Sequence, residues 1–262
     1  MTPLIFFIFG IEFGSFANVC IYRIPRNLSV VFPRRSFCPW CKKSIAWFDN
    51  IPILSFLFLH GRCRSCHGVI SVKYPIVELL LGILWALFSF LGSFSFILPF
   101  LVLSLFLVII SFIDLELKII PDSLSLSLIV LGLFFSVINP IFSGEIWLKF
   151  VHSIIGVLVG GGTILLIGEL GKLIYGRDAM GGGDVKLCAA LGAFLGWSGV
   201  VSAIIIASIL GSLVVLIGFF LRRIKSKQLI PFGPFLSMGG LINLVVQLKF
   251  SDMIKYKIIP FF

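Results

Sequence analysis

The 262-residue sequence predicts an all-α polytopic membrane protein with about eight transmembrane helices and a small polar insertion after the first. Three observations carry this. Hydrophobic residues make up 59% of the chain and charged residues only 12%, against roughly 25% charged in a soluble domain. The apolar runs repeatedly reach the ~20 residues that span a bilayer. The breaks between them are short, and the basic residues collect there. Such a composition excludes a soluble globular enzyme.

In chain order, the apolar runs predict spans over 3–22, 74–92, 95–113, 123–140, 150–174, 184–196, 199–221 and 231–249, the sixth being short. No basic residue precedes the first span and no small-residue cleavage site follows it, so it is expected to be a retained helix and not a signal peptide. Gly156 and Gly160, four residues apart in the fifth, have the spacing that lets two helix backbones approach closely. Low-complexity segments, repeats of 20–50 residues and the two-fold pattern of many transporters are absent from the sequence.

The segment from Arg23 to Lys73 differs in kind, with nine Lys/Arg, one acid (Asp49) and four of the six cysteines. If it is cytoplasmic, the N-terminus lies outside and parity puts the loops near 114–122, 171–186 and 222–228 inside. They hold Lys118, then Lys172, Arg177 and Lys186, then Arg222, Arg223, Lys225 and Lys227. Seventeen of the 21 basic residues are then inside, with only Lys149, Lys249, Lys255 and Lys257 outside, as positive-inside sorting requires. The net charge of +10 therefore reports topology and implies no nucleic-acid partner.

Within this insertion, Cys38-Pro-Trp-Cys41 and Cys63-Arg-Ser-Cys66 form two CxxC pairs separated by 21 residues, the arrangement of a zinc ribbon. Two such knuckles supply four thiolates to a closed tetrahedral site, the usual chemistry of structural Zn2+. A cytoplasmic location disfavours disulfides. About fifty residues build little core, so the metal is expected to stabilise a zinc-ribbon-like cytoplasmic fold and to take no part in catalysis. His67 reads as a loop residue, and Cys20 and Cys188 as packing residues.

Two polar constellations interrupt the apolar runs: Asp114 to Asp122, containing Glu116, Lys118 and Pro121, and Gly181-Gly182-Gly183-Asp184-Val185-Lys186. Ionisable groups at membrane depth are functional candidates. Asp114, Glu116 and Asp122 also fit a hydrated turn, with Asp122 capping the next helix after Pro121, and Asp184 fits a helix cap after a tight glycine turn. Alternatively, Asp114 and Asp184 meet as a carboxylate dyad sharing one proton, one activating water and the other polarising a scissile carbonyl. The glycines would admit a peptide backbone. An ion-coupled membrane transporter would explain the same acids.

Taken together, these residues resemble the bifunctional prepilin peptidases, bacterial membrane aspartic proteases that are also N-methyltransferases. The resemblance runs through Gly14-Ser15-Phe16-Ala17-Asn18-Val19, Tyr22-Arg23-Ile24-Pro25, Cys38-Pro39-Trp40-Cys41, Asp49-Asn50-Ile51-Pro52 and Gly61-Arg62-Cys63-Arg64-Ser65-Cys66. It continues through Ile70 to Glu78, Asp114 to Asp122, Gly181 to Asp184 and Pro231-Phe232-Gly233-Pro234-Phe235. Lys73 stands where the pattern leads one to expect arginine, and both are basic.

The resemblance implies that Asp114 and Asp184 are the catalytic pair, supported by Gly181, Gly183, Pro121, Lys186 and a structural Asp122. It implies as substrates the precursors of type IV pilins, competence pilins or type II secretion pseudopilins, cut after a glycine at the cytoplasmic face of the bacterial inner membrane. It also implies methylation of the new α-amine from S-adenosylmethionine. An α-amine has a pKa of about 7.7–8.0, so alignment is the main requirement. The matched positions for this second activity are Gly61, Asn18, Arg23, Asp49 and Glu78. The corresponding division is a first helix over 1–22, a four-cysteine zinc-binding methyltransferase element over 23–73 and a peptidase domain over 74–262, all in contact with membrane lipid.

Overall fold

A computed structural model describes residues 3–33, 35–91, 94–176, 180–221 and 230–255. Arg34, Arg177, the basic cluster Arg222, Arg223, Lys225 and Lys227, and Lys257 lie outside the described residues. The described chain is helical, with two short 3-10 helices at Ile24–Arg26 and Trp47–Asn50, turns and two isolated β-bridges, Phe37 to Ser44 and Arg62 to Val69. Helices over Pro3–Arg26, Ile97–Leu117, Ile146–Ile174 and Gly182–Phe220 are long and apolar enough to cross a membrane, and Asp122–Phe135 and Gly233–Gln247 are shorter apolar helices. The protein is a polytopic, multi-pass membrane protein. It folds as two compact units, residues 1–109 and 110–262.

In the first unit, α1 (Pro3–Arg23) packs antiparallel against α3 (Lys73–Phe88). The direction follows from the contacts: Gly10 lies on Leu81 and Gly82, Gly14 on Glu78, and Asn18 beside Tyr74. A Cβ at Gly14 would stand 2.5 Å from the Glu78 Cα, so the absent side chain allows this approach. The start of α4 (Phe94–Leu117) joins them, with Trp85 Nε1 donating to Ser104 Oγ at 3.2 Å. Between α1 and α3 runs the polar insertion, whose one short α-helix is α2 (Leu54–Phe58).

In the second unit, α5 (Asp122–Phe135), α6 (Ile146–Tyr175) and α8 (Gly233–Lys255) surround α7 (Gly182–Phe220). As one straight rod, the 39 residues of α7 would reach about 58 Å, nearly twice the ~30 Å hydrocarbon core. They do not form one rod. Gly196 breaks the helix at φ 73°, ψ 178°, a conformation open to glycine because it lacks a Cβ. A Cβ at Gly160 would meet both the Cys188 carbonyl and Val200, groups about 18 Å apart along an unbroken helix. The chain therefore reverses at Gly196, and the expected spans 184–196 and 199–221 are the two arms of a hairpin with no loop between them.

That reversal orphans the last carbonyls of the first arm, which cannot stay unpaired in an apolar interior. Asn139 Nδ2 donates to the Phe194 carbonyl and Ser153 Oγ to the Ala193 carbonyl, each at 2.7 Å and buried. Gly156 meets Gly192 backbone to backbone, which is the close packing its spacing with Gly160 predicts.

Of the two readings of Asp114 and Glu116, the hydrated turn does not hold, because α4 continues through both to Leu117. The turn begins only at Lys118, which takes φ 56° and closes its amide onto the Asp114 carbonyl at 2.9 Å. The expected cap at Asp122 is also corrected. Pro121 takes the N-cap position with φ −62°, ψ 132° and no side-chain cap is made, so Asp122 moves into the first turn, where an acid still suits the helix dipole.

Candidate functional site

In the second unit the starts of three helices and the end of a fourth gather at one place. Asp114, 5% exposed, lies one turn before the end of α4. Its Oδ2 accepts the backbone N–H of Gly233, the first residue of α8, at 2.9 Å. That amide is among the donors a helix leaves unpaired, and a carboxylate is the acceptor its dipole favours. A Cβ at Gly233 would stand 2.6 Å from Oδ2.

Asp184 is half-buried in the first turn of α7, whose N-cap is Gly181 without a side-chain cap. Its Oδ2 turns toward Gly181, where a Cβ would lie 3.2 Å away. Ile120 joins the two halves of the site: it packs on Gly183, next to Asp184, and on Gly233, which holds Asp114. Through Ile120 the two carboxylates are brought to the same end of the unit, near enough for the charge of Asp114 to act on Asp184. Beside them, Lys186 Nζ pairs with Asp122 Oδ1 at 2.6 Å on the exposed rim, tying the start of α7 to the start of α5.

In the first unit the two CxxC segments fold alike. Cys38 N–H donates to the Lys43 carbonyl and Lys42 N–H to the Cys38 carbonyl; Cys63 N–H donates to the Gly68 carbonyl and His67 N–H to the Cys63 carbonyl, all at 2.9 Å. The residue after each pair, Lys42 at φ 60° and His67 at φ 56°, turns left-handed, so His67 is a turn residue and no member of the cluster. The four Sγ atoms lie within 4.8 Å of one another, with Cys38 and Cys66 at 3.8 Å. Tetrahedral coordination at about 2.3 Å puts sulfurs about 3.8 Å apart, so this donor set fits a metal of that kind. Amides of Cys66 and Ser65 push the Cys63 thiol down to about 7. Cys66 is lowered by the Gly68 amide but raised more by burial and the neighbouring thiols, to about 11.

Next to the knuckles is a cavity of about 600 Å3, lined among others by Asn18, Arg23, Phe48, Asp49, Arg64 and Glu78. Glu78 Oε2 accepts the Ile53 N–H at 2.8 Å, Glu78 Oε1 takes Asn18 Nδ2 at 3.5 Å, and Asn18 Nδ2 also donates to the Tyr74 carbonyl at 3.0 Å. Asp49 receives Arg64 through Nε and Nη2 at 2.7 to 3.0 Å, a bidentate pair that holds the guanidinium above its ordinary pKa. Arg23 differs: buried, it donates to the carbonyls of Ser29, Val30, Pro33 and Arg35, which pins those residues to the end of α1. Gly61 stands behind the wall at φ 67°, where a Cβ would press on Phe56 at 3.2 Å.

Sequence reasoning missed three residues of these sites. Gly233 had a signal, since glycine ahead of Pro234 marks a helix start. Arg64 stands inside the matched Gly61 to Cys66 motif, where only Gly61 and the two sulfurs were given a role. Ile53, at φ 61° and ψ −52°, had none, because a β-branched residue is a poor choice for that region.

Residues 8–91 match the bacterial peptidase A24 N-terminal domain, and residues 101–216 match the type IV leader peptidase family. A "Prepilin leader peptidase/N-methyltransferase" of Neisseria gonorrhoeae is 35% identical, over 90% of this chain and 87% of its own. Proteins of the same name from Klebsiella pneumoniae (38%; 77% of this chain, 89% of its own) and Myxococcus xanthus (39%; 79% and 60%) are also similar. No solved structure matches the chain. With the two carboxylates gathered in one unit, the four thiols in the other and relatives aligned across nearly the whole length, the chain belongs to the type IV leader peptidase family.

Proposed function

We propose that this protein removes the leader peptide of type IV prepilins, or of competence and type II secretion pseudopilin precursors, and then N-methylates the residue it exposes. One observation carries the reading: a buried aspartate, Asp114, held by a helix-start amide with a second aspartate, Asp184, in electrostatic reach. In this reading the two carboxylates close on each other around the substrate and share one proton, as like charges a few ångströms apart do. Asp114, already accepting the Gly233 amide, is suited to be the ionised member and takes a proton from water as the water oxygen bonds to the scissile carbonyl carbon. Asp184 lends the shared proton as a hydrogen bond to the carbonyl oxygen. The C–N bond then breaks and the proton on Asp114 passes to the leaving amine. Gly181 and Gly183 leave room for the substrate backbone, while Pro121, Asp122 and Lys186 support the turn that carries Asp184.

The second step is assigned to the insertion. S-adenosylmethionine supplies a methyl group on a cationic sulfur, and the cavity is of the size that takes a ligand of that class. Glu78, fixed by Ile53 and Asn18, offers its carboxylate to the cation or to the proton the amine gives up. Asp49 and Arg64 shape the wall, Arg23 holds the adjoining loop, and Gly61 keeps Phe56 in place. Zn2+ on Cys38, Cys41, Cys63 and Cys66 is the structural metal of this reading. In functional terms, residues 23–73 methylate and 74–262 cleave, although the compact units divide at 109/110. Both sites work on the cytoplasmic side of the inner membrane, with the N-terminus outside. The names of the relatives favour this reading over an ion-coupled transporter.

The test is a mass-resolved assay with purified protein, a prepilin bearing a Gly-Phe junction, and S-adenosylmethionine present or absent. Loss of the leader mass, plus one methyl only with the cofactor, is the expected result. No mass change with several prepilins would reject the reading, and cleavage without methylation would confine it to the peptidase.

A further inference from the structure

The polar insertion exposes large apolar side chains that no described part of the chain covers. On α2, Leu54, Leu57 and Phe58 are 51%, 62% and 78% exposed, and their i, i+3, i+4 spacing sets them on one face. One flank of the helix is tied down, since buried Ser55 donates to the Phe48 carbonyl at 2.9 Å. Trp47, 81% exposed, precedes them in the turn packed against α2. In a water-facing loop such a patch would be anomalous.

Its height relative to the helices points to what covers it. The Ile53 N–H, at the head of α2, bonds Glu78 Oε2. Glu78 is only about 8 Å along α3 from its first residue, and it faces Asn18 in the last turns of α1. The patch thus sits level with the last turns of α1, a helix long and apolar enough to cross a membrane, where that helix gives way to the polar insertion. The insertion as a whole is basic: Arg26, Arg35, Lys42, Lys43 and Arg62 are exposed, and its one acid, Asp49, is engaged by Arg64. An exposed tryptophan and an apolar face on an insertion with this excess of positive charge match the headgroup zone of an anionic bilayer.

We infer that residues 47–58 form an interfacial anchor, with Trp47 and the Leu54, Leu57, Phe58 face resting in the headgroup and upper acyl region of the bilayer. The inference rests on the membrane reading of α1 and is independent of either catalytic step. Phe48, Ile53 and Phe56 belong to the wall of the unit's cavity, so the anchor holds that cavity at the membrane surface, where the N-terminus of a membrane-bound substrate helix emerges.

The test uses the full-length protein in nanodiscs of anionic lipid, and reads Trp47 fluorescence as the difference between wild type and Trp47→Phe. Replacing the lipid with one brominated in the upper acyl chain is expected to remove at least half of that signal, while aqueous iodide removes little. The combined variant Leu54→Ser, Leu57→Ser, Phe58→Ser should cut the lipid quenching at least twofold and raise deuterium uptake over 47–58. A Trp47 signal open to iodide and indifferent to brominated lipid would overturn the inference, as would one shielded from both, which would mean a protein cover.

Discussion

The backbone amide of Gly233 holds Oδ2 of Asp114 at 2.9 Å across 119 residues of sequence. A hydrogen bond to a charged group contributes about 1.5–3 kcal/mol, and here it also sets the direction of a buried carboxylate. Gly233→Ala places a methyl 2.6 Å from that oxygen and must displace it. Leader cleavage should fall by roughly 10- to 100-fold through kcat, with little change in KM. An unchanged kcat in the purified variant would remove the amide from the mechanism.

Asp114→Asn and Asp184→Asn each keep the side-chain shape and remove the ionisable group. Both should abolish leader removal while the protein still accumulates in the membrane. Immunoblots of prepilin processing, with membrane levels as the control, decide this; processing at the wild-type rate in either variant refutes the dyad.

The Asp122 to Lys186 pair is exposed on both sides, and such pairs are worth about 0–1 kcal/mol. Asp122→Asn and Lys186→Met should therefore lower thermal stability by only a degree or two and leave cleavage within a few-fold of wild type. A loss approaching that of Asp184→Asn would give the pair a catalytic part.

Cys38→Ser with Cys63→Ser breaks one ligand in each knuckle. Bound zinc should disappear by elemental analysis and methylation should fail first, because Arg64 lies between two ligands and carries Asp49 with it. Retained metal and normal methylation would reject the zinc assignment.

Gly160→Val and Gly156→Leu drive side chains into the backbone of α7 at Cys188 and Gly192. Overpacking typically costs about 1–3 kcal/mol, and backbone on the other side leaves little to yield. Both variants should unfold at lower temperature in detergent or fail to accumulate. Wild-type melting would mean that α6 and α7 can separate.

The sequence by itself determined the membrane class, the polar insertion with its two sulfur knuckles, and the identity of the residues that carry charge at membrane depth. These are properties of composition and local spacing: an apolar run needs the bilayer wherever it folds, and CxxC brings two thiols to one turn by itself. The helix pair at Gly156 and Gly160 was legible for the same reason.

Only the tertiary structure decided how distant segments meet. The reversal at Gly196 is one glycine among 26, recognisable once Asn139 and Ser153 are seen to close the carbonyls it frees. Asp114 could be read as a turn residue or as half of a carboxylate pair, and it is a buried helix residue whose partner is a backbone amide, which no side-chain pattern records. Asp122 looked like a cap and is a surface ion pair, since Pro121 had already taken the cap position. Likewise Glu78, Asn18 and Asp49 became the wall of one cavity only when α1 and α3 packed antiparallel at Gly14. Hydropathy is summed along the chain, whereas a site depends on directions and distances between segments, and those are set by packing.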